Sequence, residues 1–321
     1  MTYSVVLVGL GAIGMGYDLG NPNPQRICTH ARAFSSHAAF GELVGVDRDE
    51  ERRRLFEVSY GARSYASLKE ALVQHRSSVV VIATPTATHA DVLHRVLEHA
   101  TPRVVLCEKP LAHELRDAQA MLASCEERGV ALYVNYMRRA DPGVRVVKRM
   151  IEEGELATPV KGVVWYSKGL VHNGSHFVDL LRYWLGPVGL ATIVRGGRRW
   201  EDHDPEPDFA LDHARGSVSY LAASEECFSH YTVELVARNG RLRYEGGGER
   251  VEWQGVVDDP DFAGYRILAN PPKALPADTA RYQWHVVEQL ALALDGKDAA
   301  LCTGRDGFET LRDVYRVVEQ L

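Results

Sequence analysis

Val5-Val6-Leu7-Val8-Gly9-Leu10-Gly11-Ala12-Ile13-Gly14 sets an apolar run directly against three glycines in the spacing G-x-G-x-x-G. The apolar run reads as a fully buried strand. Glycines of this spacing at the end of such a strand allow a tight turn and a close approach of backbone to a pyrophosphate. Amides at the start of the next helix then face the phosphates.

Further along, Leu43-Val44-Gly45-Val46, Val79-Val80-Val81-Ile82-Ala83, Val104-Val105-Leu106 and Ala131-Leu132-Tyr133-Val134 read as more buried strands. Helical patterns cover 50–60, 68–75, 89–99 and 114–128. Continuous apolar strands alternating with helices predict a doubly wound α/β domain with a parallel sheet. The pattern changes near residue 138. Helices are expected from Asp141-Pro142 to about Glu153 and over 175–185, and two more, over 279–294 and 306–321, close the chain. Between them lie alternating strands at 191–195, 217–222, 231–237, 241–244 and 250–254, with Asn239-Gly240 as a hairpin turn. The expectation is α/β overall: a Rossmann domain over residues 1–125 and an α+β domain with a mostly antiparallel open sheet over 126–321. The hydrophilic stretch Glu201-Asp202-His203-Asp204-Pro205-Glu206-Pro207-Asp208 is either a substrate loop or plain surface, with surface the preferred reading.

The glycine turn has one irregular feature. Met15-Gly16-Tyr17-Asp18 and Asn21-Pro22-Asn23-Pro24 cannot continue a helix, and the helical pattern resumes near Thr29. Residues 15–28 are therefore an insertion in the first crossover, either a lid or a neutral surface loop.

The 321 residues suffice for two domains with a substantial core. A formal charge of −6 gives no electrostatic reason to expect nucleic acid or an anionic membrane as partner. Arg52-Arg53-Arg54 follows four acids and reads as a solvated helix face. Five cysteines without a Cys-x-x-Cys pair point to a reduced, cytoplasmic protein, and Cys107 reads as a buried thiol rather than a nucleophile. No apolar run approaches the roughly 18 residues that suggest a membrane span.

Asp47 ends the second strand, where a carboxylate can accept hydrogen bonds from an adenosine ribose and repel a 2′-phosphate. NAD is therefore expected, with NADP the second choice because Arg48 follows. Gly9, Gly11, Ala12, Ile13 and Gly14 would line the phosphates. Thr84-Pro85-Thr86 leaves the next strong strand, and His89 caps the following helix or touches the cofactor. Glu108-Lys109-Pro110-Leu111 leaves the strand after that. A lysine held at that edge beside a nicotinamide can take or return the proton of a reacting hydroxyl.

Together with Tyr136-Met137-Arg138-Arg139-Ala140-Asp141-Pro142 and Gly174-Ser175-His176-Phe177-Val178-Asp179-Leu180-Leu181, these segments resemble the glucose–fructose oxidoreductase, inositol dehydrogenase and MocA (Gfo/Idh/MocA) superfamily. The resemblance spans roughly residues 5–186, with Cys302-Thr303-Gly304-Arg305-Asp306-Gly307 a looser echo. It implies Lys109 as proton-transfer residue and His176 as its partner. It also implies Glu108 and Asn135 at the cofactor, Arg138 and Tyr282 at the substrate, and an open sheet that makes homodimers or homotetramers. The family motif commonly has an aspartate four residues before the catalytic histidine; this chain has His172, then Asn173. His172 joins the catalytic set, and Asn173 and Lys168 the substrate set. No carboxylate cluster completes a metal site with the two histidines, so no metal is expected.

These features predict a hydride transfer between nicotinamide and a secondary alcohol or ketone of a sugar, sugar derivative or cyclic polyol. Two alternatives stay open: an NAD-dependent glycoside hydrolase on this fold, and a non-catalytic dinucleotide sensor with a protein partner.

Overall fold

Val5 to Val8 lie in the centre of a seven-stranded sheet, paired on both sides and buried on both faces. In the computed structural model, which describes every residue except Met1, Pro24, Ser224 and Glu226, the strands β1 (Tyr3–Val8), β2 (Phe40–Val46), β3 (Arg63–Tyr65), β4 (Val79–Ile82), β5 (Val104–Cys107) and β6 (Ala131–Val134) are parallel. Their order is β6-β5-β4-β1-β2-β3, with the short strand Cys302–Thr303 antiparallel outside β6. The order reverses between β1 and β4, the place where open α/β sheets bind ligands at their carboxyl ends.

Helices α1 (His30–Ser36), α2 (Glu50–Tyr60), α3 (Leu68–Gln74), α4 (His89–His99) and α5 (Leu115–Glu127) link these strands. Their ends follow local chemistry. The Asp49 carboxylate accepts from the Arg52 amide at the start of α2, and Gly61 ends that helix at φ +62°. In α4, Val92, Leu93, Val96 and Leu97 recur at helical spacing and are buried.

The chain separates into two compact units, residues 1–140 with 280–309 and residues 141–279 with 310–321. A boundary at 125 would fall inside α5, before β6 has joined the sheet. Residues 126–140 are kept with the first unit by the pairing of β6 with β5. Val286, Val287, Leu290 and Leu294, from the late helix that runs Tyr282–Leu294, are buried in its core. Gly304 and Gly307 let the following chain lie on β6, since a Cβ at either would stand 2.9 Å or less from Leu132 or Val134.

The second unit begins with α6 (Pro142–Glu152), where Asp141 Oδ1 accepts from the Gly143 amide at 2.8 Å and proline fills the first helical position. There follow β7 (Val160–Tyr166), α7 (Ser175–Leu185), β8 (Val188–Trp200), β9 (Asp204–His213), β10 (Gly216–Ala222), β11 (Thr232–Ala237), β12 (Gly240–Glu245), β13 (Arg250–Asp258), β14 (Arg266–Leu268) and β15 (Lys273–Leu275). The sheet order is β14-β13-β12-β11-β7-β10-β9-β8, with β15 on β13. Among the described residues of this sheet, only β7 and β10 pair in parallel; every other pairing is antiparallel. The chain then runs through α8 (Tyr282–Leu294) to α9 (Gly304–Val318).

Alternation assigns the two faces. Val164, Tyr166, Val233, Leu235, Leu242 and Tyr244 point into a core with α6, α7 and the end of α9. The opposite face exposes Trp165, Leu190, Val194 and Val236.

Residues 201–208 differ from expectation. Glu201 and Asp202 form a hairpin turn at positive φ, but Asp204 to Pro207 are buried in β9. Two prolines and several acids mimic a loop in composition. Prolines are tolerated here because β10 pairs with β9 only from Phe209 onward, so this stretch needs no donors on that side. Among the described residues, no helix is long and apolar enough to cross a membrane.

Candidate active site

The glycine turn is shaped by side chains that are absent. Gly9 has φ +98°, and a Cβ there would stand 2.5 Å from the Ala83 carbonyl oxygen. A Cβ on Gly14 would stand 2.2 Å from the Gly9 carbonyl oxygen. On Gly11 it would meet nothing closer than Arg52 Nη1 at 3.9 Å, so that missing side chain leaves open room. The room belongs to a cleft of about 620 Å³ lined by Gly9, Gly11, Ala12, Ile13, Asp47, Arg48, Thr84 and Pro85, with Tyr17 and Arg52 among its other walls. Asp47 joins the two turns: its Oδ2 accepts from the Leu10 amide at 2.8 Å and its Oδ1 from the Asp49 amide at 3.0 Å. Open glycine backbone facing a cleft with a carboxylate at its second strand fits a dinucleotide.

The insertion is spliced into the first helix. Single-turn bonds run from the Met15 and Gly16 amides to Gly11 O. The chain then leaves and returns, so that the His30 amide bonds Ile13 O at 3.1 Å and the Ala31 amide bonds Gly14 O at 2.8 Å. The helix resumes as if the excursion were not there. Asp18 closes the base of the loop: its Oδ2 accepts from the Cys28 amide, the Thr29 amide and the Thr29 hydroxyl at 2.7–2.9 Å. Of the sequence stretch quoted for this insertion, Pro24 lies outside the described residues.

Thr86, His89, Glu108, Lys109 and Asn135 are not in the lining of the glycine cleft. His89 is fully buried, with Nε2 2.9 Å from Thr84 O and Nδ1 3.2 Å from both Pro110 O and Leu111 O. It is a strut between the turns that follow β4 and β5, and burial holds its imidazole below its usual pKa. Glu108 and Lys109 leave the carboxyl end of β5, on the same sheet edge as the glycine turn because β1 and β5 run the same way. The Glu108 carboxylate Oε1 takes bonds from His30 Nε2 and Asn135 Nδ2, both at 2.7 Å. Burial alone would raise that carboxyl, but these two bonds and the Lys109 charge hold it below the ordinary range. Cys107, just before it, is fully buried and its thiol is pushed well up by that burial, which disarms it as a nucleophile.

Arg138 sits in the single turn Met137–Ala140 that follows β6, half-buried beside Arg139, which is paired with Asp306 at 2.8 Å. Tyr282 opens α8, with its phenol raised by burial and by the Cys28 thiol. Both belong to the first unit.

The remaining candidates lie in the second unit. Lys168 and Gly169 both take left-handed backbone, at φ +62° and +81°, and start a π-helical turn over Gly169–Gly174 that runs into α7. Non-glycine residues rarely hold that conformation, and such strain and such turns concentrate at functional sites. The turn presents His172, exposed, and Asn173, whose Nδ2 donates to Tyr231 Oη at 2.6 Å. His176 is 6% exposed in the first turn of α7. The turn itself is held by buried carboxylates of β9. Asp204 Oδ1 accepts from the Val171 amide at 2.9 Å, Asp204 Oδ2 from the His172 amide at 2.7 Å, and Glu206 Oε1 from the Gly169 amide at 3.1 Å. Burial raises the Asp204 carboxyl against the pull of those amides. The His172 ring stacks on Trp200, with centroids 5.0 Å apart and planes at 26°.

Sequence reading missed His30, Asp18, Trp200, Asp204 and Glu206. Only the last two carried a signal: carboxylates at 204, 206 and 208 recur at the two-residue period of one strand face.

Residues 3–136 match the model of an oxidoreductase family with an NAD-binding Rossmann fold, Gfo/Idh/MocA. The chain is 31% identical over 271 residues to inositol 2-dehydrogenase of Rubrobacter xylanophilus, covering 80% of this chain and 72% of that enzyme. It is 26% identical over 275 residues to D-apiose dehydrogenase of Rhizobium rhizogenes, covering 77% and 76%. The structure of the WlbA dehydrogenase from Bordetella pertussis, determined with NADH and UDP-GlcNAcA, superposes with a TM-score of 0.77 at 21% identity, covering 99% of this chain and 96% of that one. The glycine turn with its open cleft, the carboxylate at the second strand and these matches agree: the chain belongs to the Gfo/Idh/MocA family of NAD-binding oxidoreductases.

Proposed function

We propose that this protein is an NAD-dependent dehydrogenase acting on a secondary alcohol, or the matching ketone, of a sugar, sugar derivative or cyclic polyol. The observation that carries the reading is Lys109 at the carboxyl end of β5, on the sheet edge that also bears the glycine turn. Relatives named for inositol and D-apiose support the substrate class.

NAD, when bound, supplies the acceptor for the hydrogen leaving the alcohol carbon. The chain's own residues do the rest. Amides of the Gly9–Gly14 turn hold phosphate, and Asp47 accepts from ribose hydroxyls. The Asp47 charge disfavours a 2′-phosphate, while Arg48 and Arg52 beside it are what would admit NADP. Glu108, fixed by His30 and Asn135, orients the turn that carries Lys109. Lys109 takes the hydroxyl proton during oxidation and returns it during reduction. The family resemblance gives Arg138 and Tyr282 of the first unit and His176 of the second, joined by His172, Asn173 and Lys168 of the second, as the residues that would meet substrate hydroxyls and other polar groups. The exposed apolar residues Trp165, Leu190, Val194 and Val236 support a homodimer or homotetramer, which light scattering would measure.

Lys109→Ala is expected to lower kcat by about 10²–10⁴-fold, with NADH binding unchanged by fluorescence titration. Near-native turnover of a sugar or polyol in that variant would remove the assignment. Glycoside cleavage without net NADH formation would transfer it to hydrolysis.

A further inference from the structure

The tip of the β8–β9 hairpin does two things to one residue. Asp204 divides its carboxylate between consecutive amides, Oδ1 to Val171 and Oδ2 to His172, at 2.9 and 2.7 Å. Trp200, the register partner of Asp204 across the hairpin, lies under the His172 ring. One side chain thus sets where the backbone of residue 172 stands, and the other sets the plane of its imidazole. The fit leaves no slack on the chain side: a Cβ on Gly169 would stand 2.1 Å from Asp204 Oδ2. Nor is there slack on the strand side, because Glu206 holds the Gly169 amide with one oxygen and Arg198 Nε, at 2.7 Å, with the other.

Ordinary fold maintenance does not call for this. α7 is already anchored through its apolar face, with Phe177, Leu180, Leu181 and Trp184 fully buried. A buried carboxylate used on two adjacent amides is costly to desolvate, and it acts on the turn rather than on that core. We propose that Asp204 and Trp200 are positioning residues that hold His172 in the orientation that selects and seats the substrate. This rests on the reading that His172 meets substrate. The ligand class is a polyhydroxylated ring, whose hydroxyl array is read by an imidazole fixed in plane.

The chemistry dictates the variants. Asp204→Asn must turn its NH2 toward one of the two amides, so one bond is lost and a donor faces a donor. Trp200→Phe keeps an aromatic face under His172, whereas Trp200→Ala removes it. Asp204→Asn is expected to raise substrate KM about tenfold with a smaller effect on kcat, leaving NADH affinity unchanged. Trp200→Ala is expected to lower kcat/KM about fivefold, and Trp200→Phe to restore most of it. The decisive measurement repeats both changes in a His172→Ala background. There the losses should shrink to less than about twofold, because the residue being positioned is gone. Equal losses with and without His172 overturn the positioning role while leaving His172 in the site. Full activity of His172→Ala alone overturns the substrate reading of His172 and this proposal with it. If Asp204→Asn does not fold, the Trp200 pair decides the question unaided.

Discussion

The turn from Gly9 to Gly14 and the turn from Gly169 to Gly174 both begin and end on glycine, and both lead from a strand into a helix. The first is held mainly by backbone and by missing side chains, with the Asp47 carboxylate on the Leu10 amide: Gly14 packs on the Gly9 carbonyl, and His30 and Ala31 continue the interrupted helix on Ile13 and Gly14. The second is held by side chains from a strand some thirty residues further on, Asp204 and Glu206. A turn made chiefly by absence asks little of the rest of the chain: the Ala83 carbonyl it packs on and one carboxylate, Asp47, at the Leu10 amide. A turn clamped from elsewhere needs the sheet to be assembled first, and it can change its presented residue without changing its own glycines. That difference matches the chemistry proposed for each: cofactor at one, substrate at the other.

Gly14 is where the first turn is most vulnerable. Gly14→Ala places a Cβ 2.2 Å from backbone, so NADH affinity is expected to fall on the order of 100-fold. A near-native dissociation constant would show that the first turn yields more easily than its packing implies. Gly169→Ala is next, opposed both by φ +81° and by the Asp204 carboxylate. It should lower kcat/KM roughly 30-fold while NADH binding stays put. An equal loss of NADH affinity would erase the division between the two turns.

Asp47→Ser sharpens the cofactor side. It removes the carboxylate shared by the Leu10 and Asp49 amides, and NADH should bind about tenfold more weakly while NADPH gains relative to it. An unchanged ratio of the two affinities would mean that Arg48 and Arg52, not Asp47, set the preference.

A last test separates stability from the site. His213 in β9 is buried, with Nδ1 3.2 Å from Gly186 O. Burial, only partly offset by that carbonyl and reinforced by the Arg182 charge, lowers its pKa from 6.5 to about 4. Its folded pKa lies below the unfolded one, so its contribution is complete above pH 6.5 and is lost as pH falls toward 4. The loss should reach at most about 3 kcal/mol, read by urea unfolding across that window. His213→Gln should flatten the slope without altering substrate KM at pH 7.5. A matching slope in the variant would assign the acid sensitivity to another group.

Much of the first unit was legible along the chain. Helices at 50–60 and 89–99 agree with α2 and α4 to the residue, because capping and apolar spacing are local. The glycines, Asp47 and the insertion after Gly14 were readable for the same reason. β7 and β9 were not. β7 carries Gly162 and Lys161 within its apolar run, and β9 opens with Asp204-Pro205-Glu206-Pro207, a composition that suits a loop anywhere except at a half-open sheet edge. His30 gave no sign of its role, since its link to Glu108 bridges a separation of 78 residues.

Local periodicity and the positions of glycine announced the parallel sheet, its cofactor turn and the membership of the chain in its family, because each is signalled by residues within a few positions of one another, even where the contacts themselves are distant. Tertiary structure alone decided which carboxylates are buried as clamps and which aromatic ring lies beneath His172. Those choices depend on the register of β8 against β9, and hydrogen-bond satisfaction of a buried turn is settled only when distant strands have come together.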